Sequence, residues 1–412
     1  MNKIELLLHT LVPNGVGFRK LGEVCEILDN RRIPIAKNKR NPGIYPYYGA
    51  NGIQDYIDSY IFDGDFVLVG EDGSVINKDN TPVVNWASGK IWVNNHAHVL
   101  QTKNELKLKF LYFYLQTIDV SYCVAGTPPK INQENLKKIT IPIPPLEIQQ
   151  EIVTILDAFT ELNTELNTEL NARKKQYQYY QNMLLDFNDI NQSHKDAKER
   201  LAQKPYPKRL KTLLHTLAPK GVEFRKLGEV CESTNKKTLK ISEVSEVKNK
   251  GMYPVINSGR DLYGYYHDFN NDGENITIAS RGEYAGFINY FNEKFFAGGL
   301  CYPYKVKDTN ELLTKFLYFY LKTNEIQIME NLVFRGSIPA LNKADIENLT
   351  IPIPPLEIQQ EIVKILDQFS ALTTDLLAGI PAEIKARKKQ YEYYREKLLT
   401  FKPLTPNKEV KK

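Results

Sequence analysis

The side chains of this chain that could act on a partner are cations and amides, gathered in two tyrosine-rich loops. YPYYGANGIQDYI (residues 45–57) and YPVINSGRDLYGYY (253–266) set glycines, which let a backbone come close to a ligand, among Asn, Gln and Arg. Those amides and guanidinium groups are the ones that make paired hydrogen bonds to base edges. Basic stretches precede both loops, NRRIPIAKNKR (30–40) and NKKTLKISEVSEVKNK (235–250), and suit phosphate contacts that position without specifying sequence. A lysine-rich loop is ordinarily a solvated surface; its recurrence at the same place in both halves argues for a shared role. The candidates for nucleic-acid contact are Arg31, Arg32, Lys37, Lys39, Arg40, Asn51, Gln54, Lys90, Asn94 and Asn95 in the first half. In the second half they are Lys236, Lys237, Lys240, Asn257, Arg260, Arg281, Tyr284 and Arg335.

Catalytic and metal chemistry finds less support. Metal-dependent nuclease chemistry needs clustered carboxylates, and no PD-(D/E)xK-like run can be assembled from the β segments. His96 and His98 in NNHAHVL could share a strand face as metal ligands, but nothing equivalent occurs near Cys301, so no metal is expected. The four cysteines, Cys25, Cys123, Cys231 and Cys301, form no CxxC pair and read as buried thiols. A net charge of +5 permits a polyanionic partner without the strongly basic signature of a self-sufficient binder. Hydrophobic content of 42% over 412 residues supports two or three folded domains. No apolar run reaches membrane length and MNKIELLLHT is too short and polar for a signal peptide, so no membrane partner and a cytoplasmic location are expected.

The elements that position these loops are arranged by an internal duplication. LLHTLVPNGVGFRKLGEVCE (7–26) returns as LLHTLAPKGVEFRKLGEVCE (213–232), KFLYFYL (109–115) recurs at 315–321, and IPIPPLEIQQEIV occurs at 141–153 and 351–363. ARKKQYQYY (172–180) returns as ARKKQYEYY (386–394). Between these islands the copies diverge almost completely. Repeated parts do one job twice, and divergent parts do a job that must differ.

After each IPIPP run the second proline suits a first helical position, and Glu147 or Glu357 falls in the positive first turn. Ile148, Ile152, Ile155, Phe159, Leu162, Leu166, Leu170, Tyr177, Tyr180 and Leu184 make a helical stripe close to a heptad seam. A helix over 145–187 would run roughly 60 Å, too long to bury its seam in one domain, so it is expected to pair with the matching helix over 355–401. Within it, 160–171 reads TELNTELNTELN. Each such unit adds about 6 Å of helix, close to two base-pair rises of about 3.4 Å. The second helix carries Gly379-Ile380-Pro381, where a proline should kink or break the rod.

The divergent parts mix β runs at 65–69, 90–93, 275–279 and 285–290 with a helix at 105–116 or 310–322. The expected fold class is mixed α/β (α+β), with a twisted or partly barrel-like sheet in each globular domain. Two such domains are separated by long helices pairing as an antiparallel coiled coil, under an internal pseudo-twofold duplication. The expected divisions are a first domain (1–143), a long helix (144–190), a linker (191–212), a second domain (213–353), a second helix (354–402) interrupted at 379–381, and a tail (403–412).

Those residues carry a likeness running nearly end to end: the chain resembles the specificity subunit of a Type I restriction–modification system. The signature is Pro144-Pro145-Leu146, Gln149, Ile152-Val153 and Leu156-Asp157, repeated at Pro354-Pro355-Leu356, Gln359, Ile362-Val363 and Leu366-Asp367. Where many members have Glu before that Gln, this chain has Ile148 and Ile358. GTPPKINQENL (126–136) and GSIPALNKADI (336–346) resemble the family's glycine-rich turn before the final strand of each domain.

The resemblance implies a non-catalytic ruler: two target-recognition domains, each reading half of a bipartite site in double-stranded DNA, with helices setting the gap. It also implies docking of two methyltransferase (modification) subunits, which supply S-adenosylmethionine, and recruitment of restriction subunits using ATP and Mg where the system carries them. Leu146, Gln149, Ile152, Leu356, Gln359 and Ile362 are the expected partner-binding residues, with the ARKKQY segments either docking or approaching DNA. The chain itself is expected to hold no cofactor. An amino-methyltransferase would need an Asp/Asn-Pro-Pro-aromatic motif, whereas Thr127, Ile143 and Ile353 precede the only Pro-Pro pairs. The alternative is a non-enzymatic coiled-coil scaffold joining two protein-binding domains.

Overall fold

The computed structural model describes residues 3–187, 205–374 and 379–404. The expected linker and tail fall largely outside them. The chain divides into two compact units, Met1–Thr168 with Glu383–Lys412, and Glu169–Ala382. Both divisions fall within the repeated helical parts, one inside the TELN run and one just past Gly379-Ile380-Pro381.

Unit 1 is built on a six-stranded sheet in the order Cys25–Ile27, Ala97–Thr102, Phe62–Gly70, Val84–Val93, Pro42–Gly49, Gly52–Ile57. All neighbours are antiparallel except Pro42–Gly49, which runs parallel to Val84–Val93. Side chains alternate across a sheet. Val67 and Val69 therefore join the cluster around Phe110 and Leu111 of helix Leu108–Leu115, while Phe66 and Leu68 pack with Ile91 and Val99 on the opposite face. Burial of both faces explains why this strand is apolar throughout its second half.

Unit 2 carries an antiparallel sheet in the order Cys231–Ser233, Cys301–Val306, Glu274–Ala279, Ile288–Asn292, and a three-stranded one of Gly264–Tyr266, Tyr253–Ile256 and Phe296–Ala297. The expected strand at 285–290 begins later, because Ala285 and Phe287 close a turn back to Gly282 and Tyr284.

One joint appears in both units. Phe18–Lys20 pairs with Thr140–Pro142, and Glu223–Lys226 with Thr350–Ile353, so the duplicated FRK and IPIP motifs clasp the two ends of each globular part. The long helix then leaves at Leu146 or Leu356. Gln149 is fully buried just inside it: Oε1 accepts from the Lys107 N–H (2.8 Å) and Nε2 donates to the Glu105 and Pro144 carbonyls (2.9 and 2.8 Å). Gln359 repeats the set with the Leu313 N–H and the Glu311 and Pro354 carbonyls. This bond at Lys107 also explains why the helix expected from residue 105 begins at Leu108.

The burial of Gln149, Ile152, Gln359 and Ile362 corrects their reading as partner-binding residues. Their polar atoms or apolar surfaces are already used inside each unit. Of the six, Leu146 is 43% exposed and Leu356 half-buried, which leaves surface for a contact.

The first helix runs unbroken over Leu146–Leu185. Its seam is divided: Ile148, Ile152 and Leu156 join the core of unit 1, whereas Met183, Leu184 and Leu185 join that of unit 2. The ends of the seam thus pack into the globular cores. Helix pairing occupies the middle. In unit 1, Phe159 stacks on Tyr394 (5.6 Å, 25°) while Asn167 shares a cavity wall with Ile384 and Lys388, an antiparallel run. Within unit 2, Tyr180 stacks on Phe369 (5.1 Å, 25°). Threonine hydroxyls of the TELN run bond back one turn, Thr164 to the Thr160 carbonyl and Thr168 to that of Thr164, and so stay within the helix. The second helical part comes as Leu356–Thr374 and Ile380–Leu399, with Pro381 in the first turn of the latter, where a missing N–H costs nothing.

Replacing Gln149 or Gln359 with Leu strands one N–H and two carbonyls in the joint. Each substitution is expected to lower stability by about 1–3 kcal/mol in denaturant unfolding of the full chain. A change under roughly 0.5 kcal/mol, the range of an inert surface substitution, would show that the joint does not rest on this side chain.

Candidate nucleic-acid interface

In unit 1 the strand ends carrying the candidate residues meet at one edge. Strand Phe62–Gly70 runs into Glu71-Asp72-Gly73, and strand Val84–Val93 into the turn Asn94-Asn95-His96. The turn between Pro42–Gly49 and Gly52–Ile57 carries Asn51. Gln54 and Asn94 are hydrogen-bonded (3.3 Å), the Asn94 N–H donates to the Tyr48 carbonyl (3.0 Å), and the Ile33 N–H donates to Val93 (3.3 Å). The loop over 124–131 closes on the same edge, its Pro129 carbonyl accepting from the Gly73 N–H and its Ile131 N–H donating to Glu71.

Three candidates prove to be framework. Arg32 is half-buried, bonded to Glu71 (2.5 Å), to the Ala97 carbonyl (2.8 Å) and near Asp29 (3.4 Å). Arg40 lies 4.1 Å over the Tyr47 ring, bonds the Ile35 carbonyl and pairs with Asp55. Asn94 is buried, with Oδ1 accepting from the His96 N–H. A solvated basic stretch cannot be told from an interior ion pair by composition, and these three are corrected from contact residues to structural ones. Arg31, Lys37, Lys39, Asn51, Gln54, Lys90 and Asn95 are exposed. Arg31 sits over the Phe62 ring and Lys90 over Tyr60, each at 4.7 Å, which holds both cations at the surface.

Unit 2 presents the equivalent edge. Ser280–Tyr284 follow strand Glu274–Ala279, Asn257–Arg260 follow Tyr253–Ile256, and Gly298–Leu300 precede Cys301–Val306. Here too the loop over 333–341 closes the edge: the Gly282 N–H donates to Pro339 and the Leu341 N–H to Ser280. Lys236, Lys237, Lys240, Arg260, Arg281, Tyr284 and Arg335 are exposed. Lys236 lies 4.6 Å over the Tyr302 ring and bonds the Gly299 carbonyl, and Arg260 is near Asp261 (3.7 Å). Asn257 is half-buried with Oδ1 accepting from the Leu300 N–H, a loop-holding role that corrects its reading as a contact residue.

A charged cluster that no short-range sequence pattern reveals lies beneath the unit 1 edge. Asp29, Glu71 and His98 lie with ligand atoms within 4.8 Å of one another. His98 is buried, with Nδ1 2.6 Å from Asp29 Oδ2 and Nε2 2.8 Å from the Ile131 carbonyl oxygen. Burial works to raise the Asp29 pKa, but the hydrogen bond and charge of His98, the charge of Arg32 and the Val99 N–H outweigh it and hold the carboxyl below its usual value. Both ring nitrogens of His98 thus face oxygen atoms, the Asp29 carboxylate on one side and the Ile131 carbonyl on the other. Lys130 adds a second cation beside Arg32, 3.1 Å from Glu71. The two carboxylates face Arg32, Lys130 and His98, and His96 stands apart, bonded to Asp72. His96 and His98, which could have shared a strand face, make separate contacts. In unit 2, Tyr302 takes the place of His98, its hydroxyl donating to the Leu341 carbonyl (3.1 Å).

A duplicated frame whose edge carries different loops twice defines a two-domain recognition subunit. Residues 13–176 and 219–386 each match the Type I restriction modification DNA specificity domain, and the chain belongs to that family. It is 36% identical to a Haemophilus influenzae protein described as a type I restriction enzyme specificity subunit, S.HindORF215P, over 97% of this chain and 99% of that protein. It is 28% identical to the Escherichia coli Type I restriction enzyme EcoR124I/EcoR124II specificity subunit, over 80% and 81%. The crystal structure of the Type I restriction–modification S subunit from M. genitalium shares the fold, with a TM-score of 0.62 at 19% identity over 94% of this chain and 98% of that one.

A carboxyl whose folded pKa is lowered stabilises the fold fully above its unfolded pKa, about 3.9, and the contribution disappears as pH falls through the folded value. Asp29→Asn is expected to be less stable than the parent at pH 7, with the difference shrinking below about pH 4. Unfolding curves at several pH values check it; a difference independent of pH down to 2 would contradict the ionic assignment.

Proposed function

We propose that this chain is the DNA sequence-specificity subunit of a Type I restriction–modification system. Each unit reads one half of a bipartite target in double-stranded DNA. The helices fix the gap and dock two methyltransferase subunits, and nuclease–translocase subunits join where the system carries them. The observation that supports this reading is the pair of equivalent edges: the same strand ends and the same closing loop, held by the same main-chain bonds, carry different side chains in the two units. A frame repeated with changed loops suits two unlike half-sites.

The duplicated helix faces suit two identical partners. Lys174, Lys175 and Tyr179 are exposed on the first helix, and Lys388, Lys389 and Tyr393 stand at the matching positions of the second. Catalysis is assigned to the partners: S-adenosylmethionine to the methyltransferase, ATP and Mg to the nuclease. The chain acts as a non-catalytic, cytoplasmic subunit. Among the described residues no helix is long and apolar enough to cross a membrane.

Mapping methylated adenines across the genome with and without this gene tests the proposal. The expected result is one bipartite motif with a fixed gap that loses methylation on deletion. Unchanged methylation despite an expressed methyltransferase partner would favour a protein-binding scaffold. Deleting one TELN unit shortens the helix by about 6 Å and is expected to narrow the gap by about two base pairs without altering either half-site. An unchanged gap would remove the ruler role from these helices.

A further inference from the structure

The edge of unit 2 holds a feature that its counterpart lacks. Among the arginines of the described residues, Arg281 and Arg335 are the two whose side chains make no hydrogen bond, ion pair or ring contact within the chain. Main-chain bonds bring them to one place. Arg281 and Ala340 form a bridge flanked by the Gly282-to-Pro339 and Leu341-to-Ser280 bonds, and Val333–Phe334 pairs with Ala340–Leu341 to project the tip that carries Arg335. Gly282 holds φ +100°, a backbone conformation that a side chain would strain, and so directs its N–H across the gap. The same tip leaves Phe334 77% and Ile338 53% exposed.

Large apolar side chains this open on a tip flanked by unpaired guanidinium groups are costly in water unless a partner covers them. In unit 1 the same main-chain frame carries Asp72 at the place of Arg281, bonded to His96, and Ala125, paired with Lys130, at the place of Phe334, paired with Ala340; the tip over 126–129 is one residue shorter than that over 335–339 and holds no cation. The bulky and cationic groups are thus additions specific to unit 2, and the frame does not require them.

We infer that Arg281 and Arg335, with Phe334 and Ile338 beside them, form a reading edge that enters the major groove at the half-site of unit 2. The arginines take guanine O6 and N7, and the apolar tips contact thymine methyl groups. This rests on the DNA-reading role proposed above. Arginine forks match guanine, and apolar side chains match the thymine methyl, which is the pattern of direct readout. The exposed carboxylate of Glu283, in the same loop as Arg281, favours base edges over phosphate, since it repels phosphate and can accept from a cytosine amino group.

The test uses the full chain assembled with its methyltransferase partner on a library of target variants, comparing the parent with Arg281→Ala, Arg335→Ala and Phe334→Ala. The bonds holding the edge are main-chain, so thermal unfolding is expected to be unchanged. Each arginine variant is expected to lose roughly five- to hundredfold discrimination at one G·C position in one half-site, and Phe334→Ala to relax a neighbouring T position, with the other half-site intact. An unaltered base profile overturns the inference and leaves the specificity-subunit reading standing. Equal weakening on all sequences, with a shallower salt dependence, reassigns the arginines to phosphate and overturns it too. Loss of assembly with the methyltransferase would make the edge a protein-docking surface instead. If the parent assembly methylates no bipartite target, the functional proposal itself fails.

Discussion

The structure depends on a buried glutamine at the root of each long helix. Gln149 and Gln359 each use three hydrogen bonds to tie the first helical turn to the loop before the KFLYFYL helix and to the proline that ended the strand. A buried amide left unpaired costs free energy, so the side chain and its three main-chain partners keep one arrangement. The helix direction is thereby set relative to the globular part from which it grows. A pair of outer contacts reinforces the joint: Lys109 with Asp157 (3.4 Å) and Lys315 with Asp367 (2.7 Å). Both are partly exposed and contribute little alone.

Rigidity at that joint is what lets the far edge of each unit vary. The strand ends and the closing loop are held by main-chain bonds, which do not depend on which side chains the loops display. The two units satisfy the interior beneath the edge in different ways. Unit 1 uses an ionic cluster of Asp29, Glu71, His98, Arg32 and Lys130; unit 2 uses a tyrosine hydroxyl on the equivalent carbonyl. Burying charge is tolerated in the first case because each carboxylate has cationic and hydrogen-bonding partners.

Much of this was legible in the residues. The duplication, the long helix and the mixed α/β class followed from periodicity, prolines and repeated words. The candidate loops were legible as regions more than as residues. Arg31, Lys90 and Arg335 stand at the surface, whereas Arg32, Arg40 and Asn94 serve the interior. A one-dimensional pattern gives little sign of this, since Glu71, which bonds Arg32, and Asp55, which pairs with Arg40, lie 39 and 15 residues away.

The order of amino acids by itself determined the periodic elements and the halving of the chain, because helix, strand and proline preferences act between neighbours a few positions apart. Tertiary structure decided which repeated residues face outward. Gln149 and Ile152 read as a docking stripe until the globular part covers them, and the pairing of Val333–Phe334 with Ala340–Leu341 is what carries Phe334 into solvent. Burial depends on what arrives from elsewhere in the chain, and that is settled only when all the elements are packed together.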